Sequence, residues 1–223
     1  MTRALPRTPP KGPGARRQSL YVLAGVNGAG RSSIGGAAFR RNGTDYFNPD
    51  EATRRIVTAN PGVDLADANS AAWSQGKRLL ERAIDEGLDF AFETTLGGTT
   101  ITTLLEAAFA AGADIRVWYV GLTSPELHLA RVRARVAAGG HDIPEAKIRE
   151  RFVHSRLNLI RLLPKLTELT VYDNSEEGDP ARGAVPRPRL VLHVAGGAVL
   201  KTCVMGDVPA WAKPIVIAAI QPR

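Results

Sequence analysis

The stretch Gly25-Val26-Asn27-Gly28-Ala29-Gly30-Arg31-Ser32-Ser33 constrains this chain more than any other. It follows the apolar run Leu20–Ala24 and precedes a segment, Ser32 to about Phe39, that can start a helix. Strand, glycine loop and helix, in that order, form the context of a phosphate-binding loop. Glycines let a backbone approach a triphosphate, and successive N–H groups at a helix N-terminus point at its oxygens. Gly25 to Ser32 fits G-x-x-x-x-G-K-[ST] at every position but one, because Arg31 stands where the pattern has lysine. Gly25, Asn27, Gly28, Ala29, Gly30, Arg31, Ser32 and Ser33 are therefore the candidate nucleotide contacts, and the Ser32 hydroxyl is the candidate Mg²⁺ ligand. Lysine sets a compact ammonium between the β- and γ-phosphates. Arginine brings a broad planar fork, itself a good phosphate ligand in general.

A chain of 223 residues with 44% hydrophobic content suits one domain with appendages and supports a sizeable core. The single Cys203 excludes an internal disulfide framework and a cysteine-based zinc site, and fits a reducing compartment. No run approaches a membrane helix in length, and the basic N-terminus lacks a following apolar region, so a soluble, cytoplasmic protein is expected. The formal net charge is +7, and Arg3, Arg7, Lys11, Arg16 and Arg17 supply most of it with no acid among them. The excess thus belongs to a Pro-, Gly- and Arg-rich tail, read as disordered, and nucleic acid is disfavoured as a partner of the folded part. The expected divisions are a tail at 1–18, a kinase-like domain at 19–175, a linker at 176–189, and a hairpin with a closing element at 190–223 on the same domain.

In chain order, Asp45–Phe47 reads as a second strand, and Asn48-Pro49-Asp50-Glu51 as a turn into a helix beginning near Glu51. Asp50 has two readings. It accepts a proton from a hydroxyl attacking the γ-phosphate, or it caps the helix. A long helix is expected over Asp67–Glu86, stopped by Gly87, and a third strand over Leu88–Phe92 running into Glu93-Thr94-Thr95. Glu93 lies where open parallel sheets bind ligands, suited to a substrate hydroxyl or the water shell of a metal; the alternative is an exposed strand-end acid or an N-cap network with the threonines. A helix at Thr99–Ala111 and a strand at Ile115–Val120 follow, then a helix starting at Ser124-Pro125-Glu126 with Arg131 and Arg135 on one face. Beyond Gly139-Gly140-His141, a helix from Pro144-Glu145 carries Arg149, Arg151 and Arg156. Two such helices joined by a glycine pair suit a lid over phosphates, or are plain solvated faces. His141, alone beside glycines, is structural or substrate-adjacent. Leu169–Asn174 is a fifth strand, Leu190–Val194 and Val199–Met205 a hairpin, and Trp211 with Ile215–Ile220 a closing element.

Several ordered motifs together resemble the zeta-toxin-like P-loop kinases. They are Leu20–Ser33, Phe47-Asn48-Pro49-Asp50, Glu93-Thr94-Thr95-Leu96, Tyr119–Leu122 before Ser124–Leu127, and Arg135-Val136 leading to Gly139–Pro144. The resemblance covers roughly residues 19–175. It implies a three-layer α/β/α fold with a mainly parallel sheet and an arginine-bearing helical lid. It also implies ATP- or GTP-dependent, Mg²⁺-assisted phosphorylation of a small molecule, in characterised members a UDP-activated amino sugar, and an inhibitory antitoxin as partner. By matching motif, Asp50 resembles the catalytic base, and Arg135 and Arg151 the phosphate-stabilising arginines. Arg31 would stand among the catalytic groups, and Glu93, Thr94, Asn48 and Arg131 on the substrate side. An alternative reading is a nucleotide-binding module whose catalysis is impaired by Arg31.

Overall fold

The computed structural model describes residues 16–32, 34, 46–176 and 187–221. Its centre is β1 (Ser19–Ala24), five of whose six residues are buried. Side chains alternate across a strand. Leu20, Val22 and Ala24 accordingly face a large core with Leu80, Leu105 and Leu159, while Leu23 joins Ala29, Val120 and Leu122 on the other side. β3 (Phe90–Thr94) and β4 (Asp114–Gly121) pair with β1 in parallel, one on each flank. β2 (Tyr46–Phe47) adds beside β3, and β5 (Glu168–Asp173) beside β4, also in parallel. An antiparallel pair, β6 (Arg189–Ala195) and β7 (Ala198–Thr202), extends the same sheet, giving the order β2-β3-β1-β4-β5-β6-β7. The mixed sheet carries α1 (Pro49–Ala59), α2 (Leu65–Glu86), α3 (Thr99–Ala110), α4 (Pro125–Ala137), α5 (Glu145–Leu162) and α6 (Lys213–Ile220).

Several boundaries differ from expectation for local reasons. α1 begins at Pro49, not near Glu51, because Asn48 Oδ1 accepts from the N–H groups of Asp50 and Glu51 and acts as the N-cap. Asp50 is therefore not the cap. α2 starts at Leu65 instead of Asp67, since Asp64 caps it by the same chemistry. β3 begins at Phe90 because the Leu88 N–H turns back to Ala83 O at 2.9 Å, closing the helix before it. Gln18, assigned to the tail, is buried and donates to both Ala83 O and Leu88 O at 2.6 Å. Met205 lies in a 3₁₀ turn past β7, not in the strand. The P-loop helix expected to reach Phe39, Asp45, most of the N-terminal tail and most of the 176–189 linker fall outside the described residues.

Gly76 sits in mid-helix, where glycine costs about 1 kcal/mol relative to alanine. A Cβ there would lie 2.5 Å from the Phe47 ring. Gly76→Ala is therefore expected to destabilise the fold by about 1–3 kcal/mol through overpacking, despite its better helix propensity. A lower thermal midpoint would show it; a raised one would mean that Phe47 yields freely.

Among the described residues no helix is long and apolar enough to cross a membrane.

Candidate active site

The glycine loop leaves the carboxyl end of β1 and is clamped from three directions. Gly25 takes a φ of +140°, and a Cβ on it would lie 2.1 Å from Val120 O on β4. Gly30, at φ +83°, lies against Asn174 beyond β5, with 2.7 Å between its would-be Cβ and Nδ2. Val26 packs beneath the loop with Leu129, Val132 and Ile148, which fastens α4 and α5 to it. The Ile34 N–H reaches Gly30 O at 3.3 Å, so the chain turns helical directly after the loop.

His128, on α4 and 1% exposed, puts Nδ1 2.8 Å from Asn27 O. A carbonyl only accepts, so Nδ1 carries the proton. Burial lowers its pKa from 6.5 to about 4, more than the Asn27 contact raises it. In the unfolded chain His128 titrates near the ordinary value. Between the two values only the unfolded chain takes up the extra proton, so this contribution is complete above pH 6.5 and is lost as the pH falls towards 4. The loss amounts to about 3 kcal/mol. Denaturation of wild type and His128→Asn across this range checks it: the slope should flatten in the variant, and identical slopes would refute it.

Glu93, at the end of β3, is nearly enclosed, with a side chain 2% exposed. Its Oε1 accepts from Ser32 Oγ at 2.7 Å, from Asn48 Nδ2 at 3.0 Å and from the Tyr46 hydroxyl. Its Oε2 accepts from Arg31 Nε at 3.3 Å, and Arg31 Nη1 donates back to Gly25 O. Asn48 Nδ2 also reaches Ser32 Oγ at 3.3 Å while its Oδ1 caps α1. Glu93 is thus no exposed strand-end acid.

Asp50, in the first turn of α1, accepts from Arg135 Nη1 at 3.3 Å and lies 3.7 Å from His141 Nε2. Arg135 Nη2 donates to His141 O at 3.1 Å, and among the described residues its buried Nε has no partner. Burial lowers the His141 pKa; Asp50 opposes that shift and Arg135 reinforces it. Arg151 donates to Asn27 Oδ1 at 2.8 Å, while Arg131 reaches Glu176 O at 3.4 Å. Burial and then the neighbouring Arg31 charge lower the Arg151 pKa. Arginine still stays charged at neutral pH, so the site holds opposed cations that an anionic ligand would relieve. Thr94 Oγ1 accepts from the Leu96 N–H at 3.1 Å, within the turn after β3.

Two clefts meet here. One, of about 770 Å³, runs along the loop from Val26 to Ser32 and is walled by Asn48, Asp50, Arg54, Arg131, Arg135 and Gly140. The other, of about 520 Å³, is lined by Phe47, Trp73, Lys77, Thr94, Ile101, Lys147 and Arg151. Asn27, Arg31, Asp50, Glu93 and His141 line both. Arg135 and Arg151, expected together, thus face different clefts. Ser33 lies outside the described residues.

The donor set fits the expected groups. The Nε of Arg135, without a partner among the described residues, suits an anion, and the glycine backbone approaches where side chains would obstruct it. Ser32 and Glu93 offer hard oxygens, the kind that bind Mg²⁺ together with phosphates. Sequence reasoning missed Tyr46, His128 and Asn174 as parts of this site. A buried-face histidine on α4 and a strand-end asparagine carry no local signal of that role.

The fold and loop define a P-loop kinase-type α/β protein. A zeta toxin family model matches residues 7–178, and the chain belongs to the zeta toxin family. It is 31% identical over 144 residues to an uncharacterized protein of Haemophilus influenzae, 61% of this chain and 99% of that protein. The fold is similar to the crystal structure of AvrRxo1-ORF1:-ORF2 with ATP, at a TM-score of 0.64 and 16% identity, covering 93% of this chain. This chain spans only 66% of that one. It is also similar to a structure of the PezAT chromosomal toxin–antitoxin system of Streptococcus pneumoniae. There the TM-score is 0.54 and the identity 14%, over 77% of this chain and 75% of that one. At such identities the structural likeness is one of fold.

Proposed function

We propose that the protein is a zeta-toxin-type phosphotransferase that moves the γ-phosphoryl group of ATP or GTP to a hydroxyl of a small molecule. The observation that carries this reading is Asp50, which lines both clefts at their junction. In it the loop cleft takes the nucleotide and the second cleft the acceptor. The acceptor hydroxyl attacks the γ-phosphorus and gives its proton to Asp50, while the bond to the β-phosphate oxygen breaks. Arg135, Arg151 and Arg31 offset charge on the transferred group. Arg131 and Asn48 supply further polar contacts. Ser32 and Glu93 would hold Mg²⁺, which would supply neutralisation of phosphate charge.

A UDP-activated amino sugar suits the second cleft. Trp73, Phe47 and Phe92 offer apolar and stacking surface, Lys77 and Lys147, now paired with Glu81 and Glu150, line the cleft as cations for a diphosphate, and Thr94 lies near Glu93. An antitoxin protein and a cytoplasmic setting complete the reading. The similar PezAT structure, described as a toxin–antitoxin system, supports the former.

A second reading, nucleotide binding without transfer, draws on Arg31, whose fork is held by Gly25 O and Glu93 inside the loop. Transfer of labelled γ-phosphate from ATP and GTP to a panel of UDP-amino sugars, by wild type and Arg31→Lys, separates the two. Labelled sugar nucleotide from wild type supports the phosphotransferase. Label that appears only with Arg31→Lys supports the binding module.

A further inference from the structure

Residues 189–221 lie beyond the stretch matched by the family model, yet one of their side chains packs against Gly121 and Asp173, at the ends of β4 and β5. Trp211 precedes α6 and is 3% exposed. Its ring lies over Gly121 at the end of β4, where an added Cβ would fall 2.3 Å from Cη2. Its Nε1 donates to Asp173 Oδ1 at 3.2 Å. The same oxygen accepts from the Ser175 hydroxyl, and Ser175 Oγ accepts from the Thr123 N–H at 2.8 Å. Arg189 of β6 lies 3.7 Å from Asp173 Oδ2.

These contacts bracket Asn174. Its backbone N–H donates to Gly121 O at 3.0 Å, and its side-chain Nδ2 donates to Ala29 O at 2.9 Å, inside the glycine loop. Two routes therefore lead from Trp211 to Asn174, one through Asp173 and one through Gly121. Loop N–H groups act on phosphate only if the loop is already held in its binding geometry.

We propose that Trp211 is a positioning residue for the glycine loop, acting through Asp173 and Gly121 on Asn174 and thence on Ala29. The C-terminal segment is then a working part of the phosphate site, and its link to nucleotide affinity rests on the reading of that loop given above. Trp211→Phe keeps most of the ring and removes the indole N–H, while Asn174→Ala removes the last link.

The test compares full-length wild type, both single variants and the double variant by two measurements. In nucleotide-free protein, amide hydrogen exchange across residues 25–30 should rise about fivefold in each variant, as for one net hydrogen bond, with the β1 amides unchanged. In calorimetric titration with Mg²⁺ and ATP, Trp211→Phe should weaken binding about fivefold, and the double variant should bind no more weakly than Asn174→Ala. Loop exchange that is unchanged, or that rises only in step with the whole protein, overturns the proposal. So do additive losses of affinity, since Trp211 would then not act through Asn174. If wild type binds no nucleotide, the functional reading fails and the exchange measurement still decides the role of Trp211. Should Trp211→Phe not fold, Asp173→Ala removes the same indole hydrogen bond from its other end, and unchanged loop exchange in that variant overturns the proposal.

Discussion

Asp50→Asn is expected to lower phosphoryl transfer by about 10²–10⁴-fold, the range that general-base catalysis contributes, while nucleotide binding is kept or tightened. The direction of the binding change follows from charge. Asp50 lines the cleft beside the loop, and removing its negative charge lessens repulsion of a polyphosphate. The asparagine oxygen can still accept from Arg135, which in wild type approaches at 3.3 Å, so the wall of the cleft should persist. Initial rates with label, paired with calorimetric affinities, check both parts. Transfer within tenfold of wild type would remove Asp50 from the reaction.

Glu93→Ala is expected to be the most destabilising substitution at the site. Arg31 has a side chain only 10% exposed, and Glu93 is its anion. Removing one partner of a buried ion pair leaves an uncompensated charge and costs about 3–5 kcal/mol. Here the donors of Ser32, Tyr46 and Asn48 also lose their acceptor. Denaturant unfolding of wild type and variant measures the difference. A loss below about 1 kcal/mol would mean that Arg31 finds its counter-charge elsewhere. Arg31 and Glu93 are best regarded as a pair: the fork that replaces lysine is seated by a carboxylate from the next strand.

Much of this was legible in the sequence because it is local. The glycine loop follows an apolar run, and strands and helices announce themselves by period, capping residues and stops. The acid at Glu93 follows from the strand pattern, since parallel sheets present their carboxyl ends to ligands, whereas Asp50, expected at a strand end, sits in the first turn of α1. What was hidden is contact between distant residues. Tyr46 and Asn48 meet Glu93 across more than forty positions, Asn174 meets Ala29 across 145, and His128 meets Asn27 across 101. No periodicity records such meetings. The same limit explains Arg135 and Arg151, which looked alike as arginines on successive helices but face different clefts. The N-cap at Asn48 was within reach, since Asn-Pro-Asp-Glu is a helix-start pattern; weighing the cap for Asp50 passed over its better-placed neighbour.

A nucleoside triphosphate site at the loop from Gly25 to Ser32, the core of the proposed function, can be tested without knowing the acceptor. Calorimetric titration of the full chain with ATP and with GTP, each with Mg²⁺, measures it directly. Saturable one-to-one binding of at least one of them is expected, abolished by Gly30→Val, whose side chain would collide with Asn174 and fill the cradle. Folded wild-type protein that binds neither nucleotide, or a Gly30→Val variant that binds as wild type does, would contradict it.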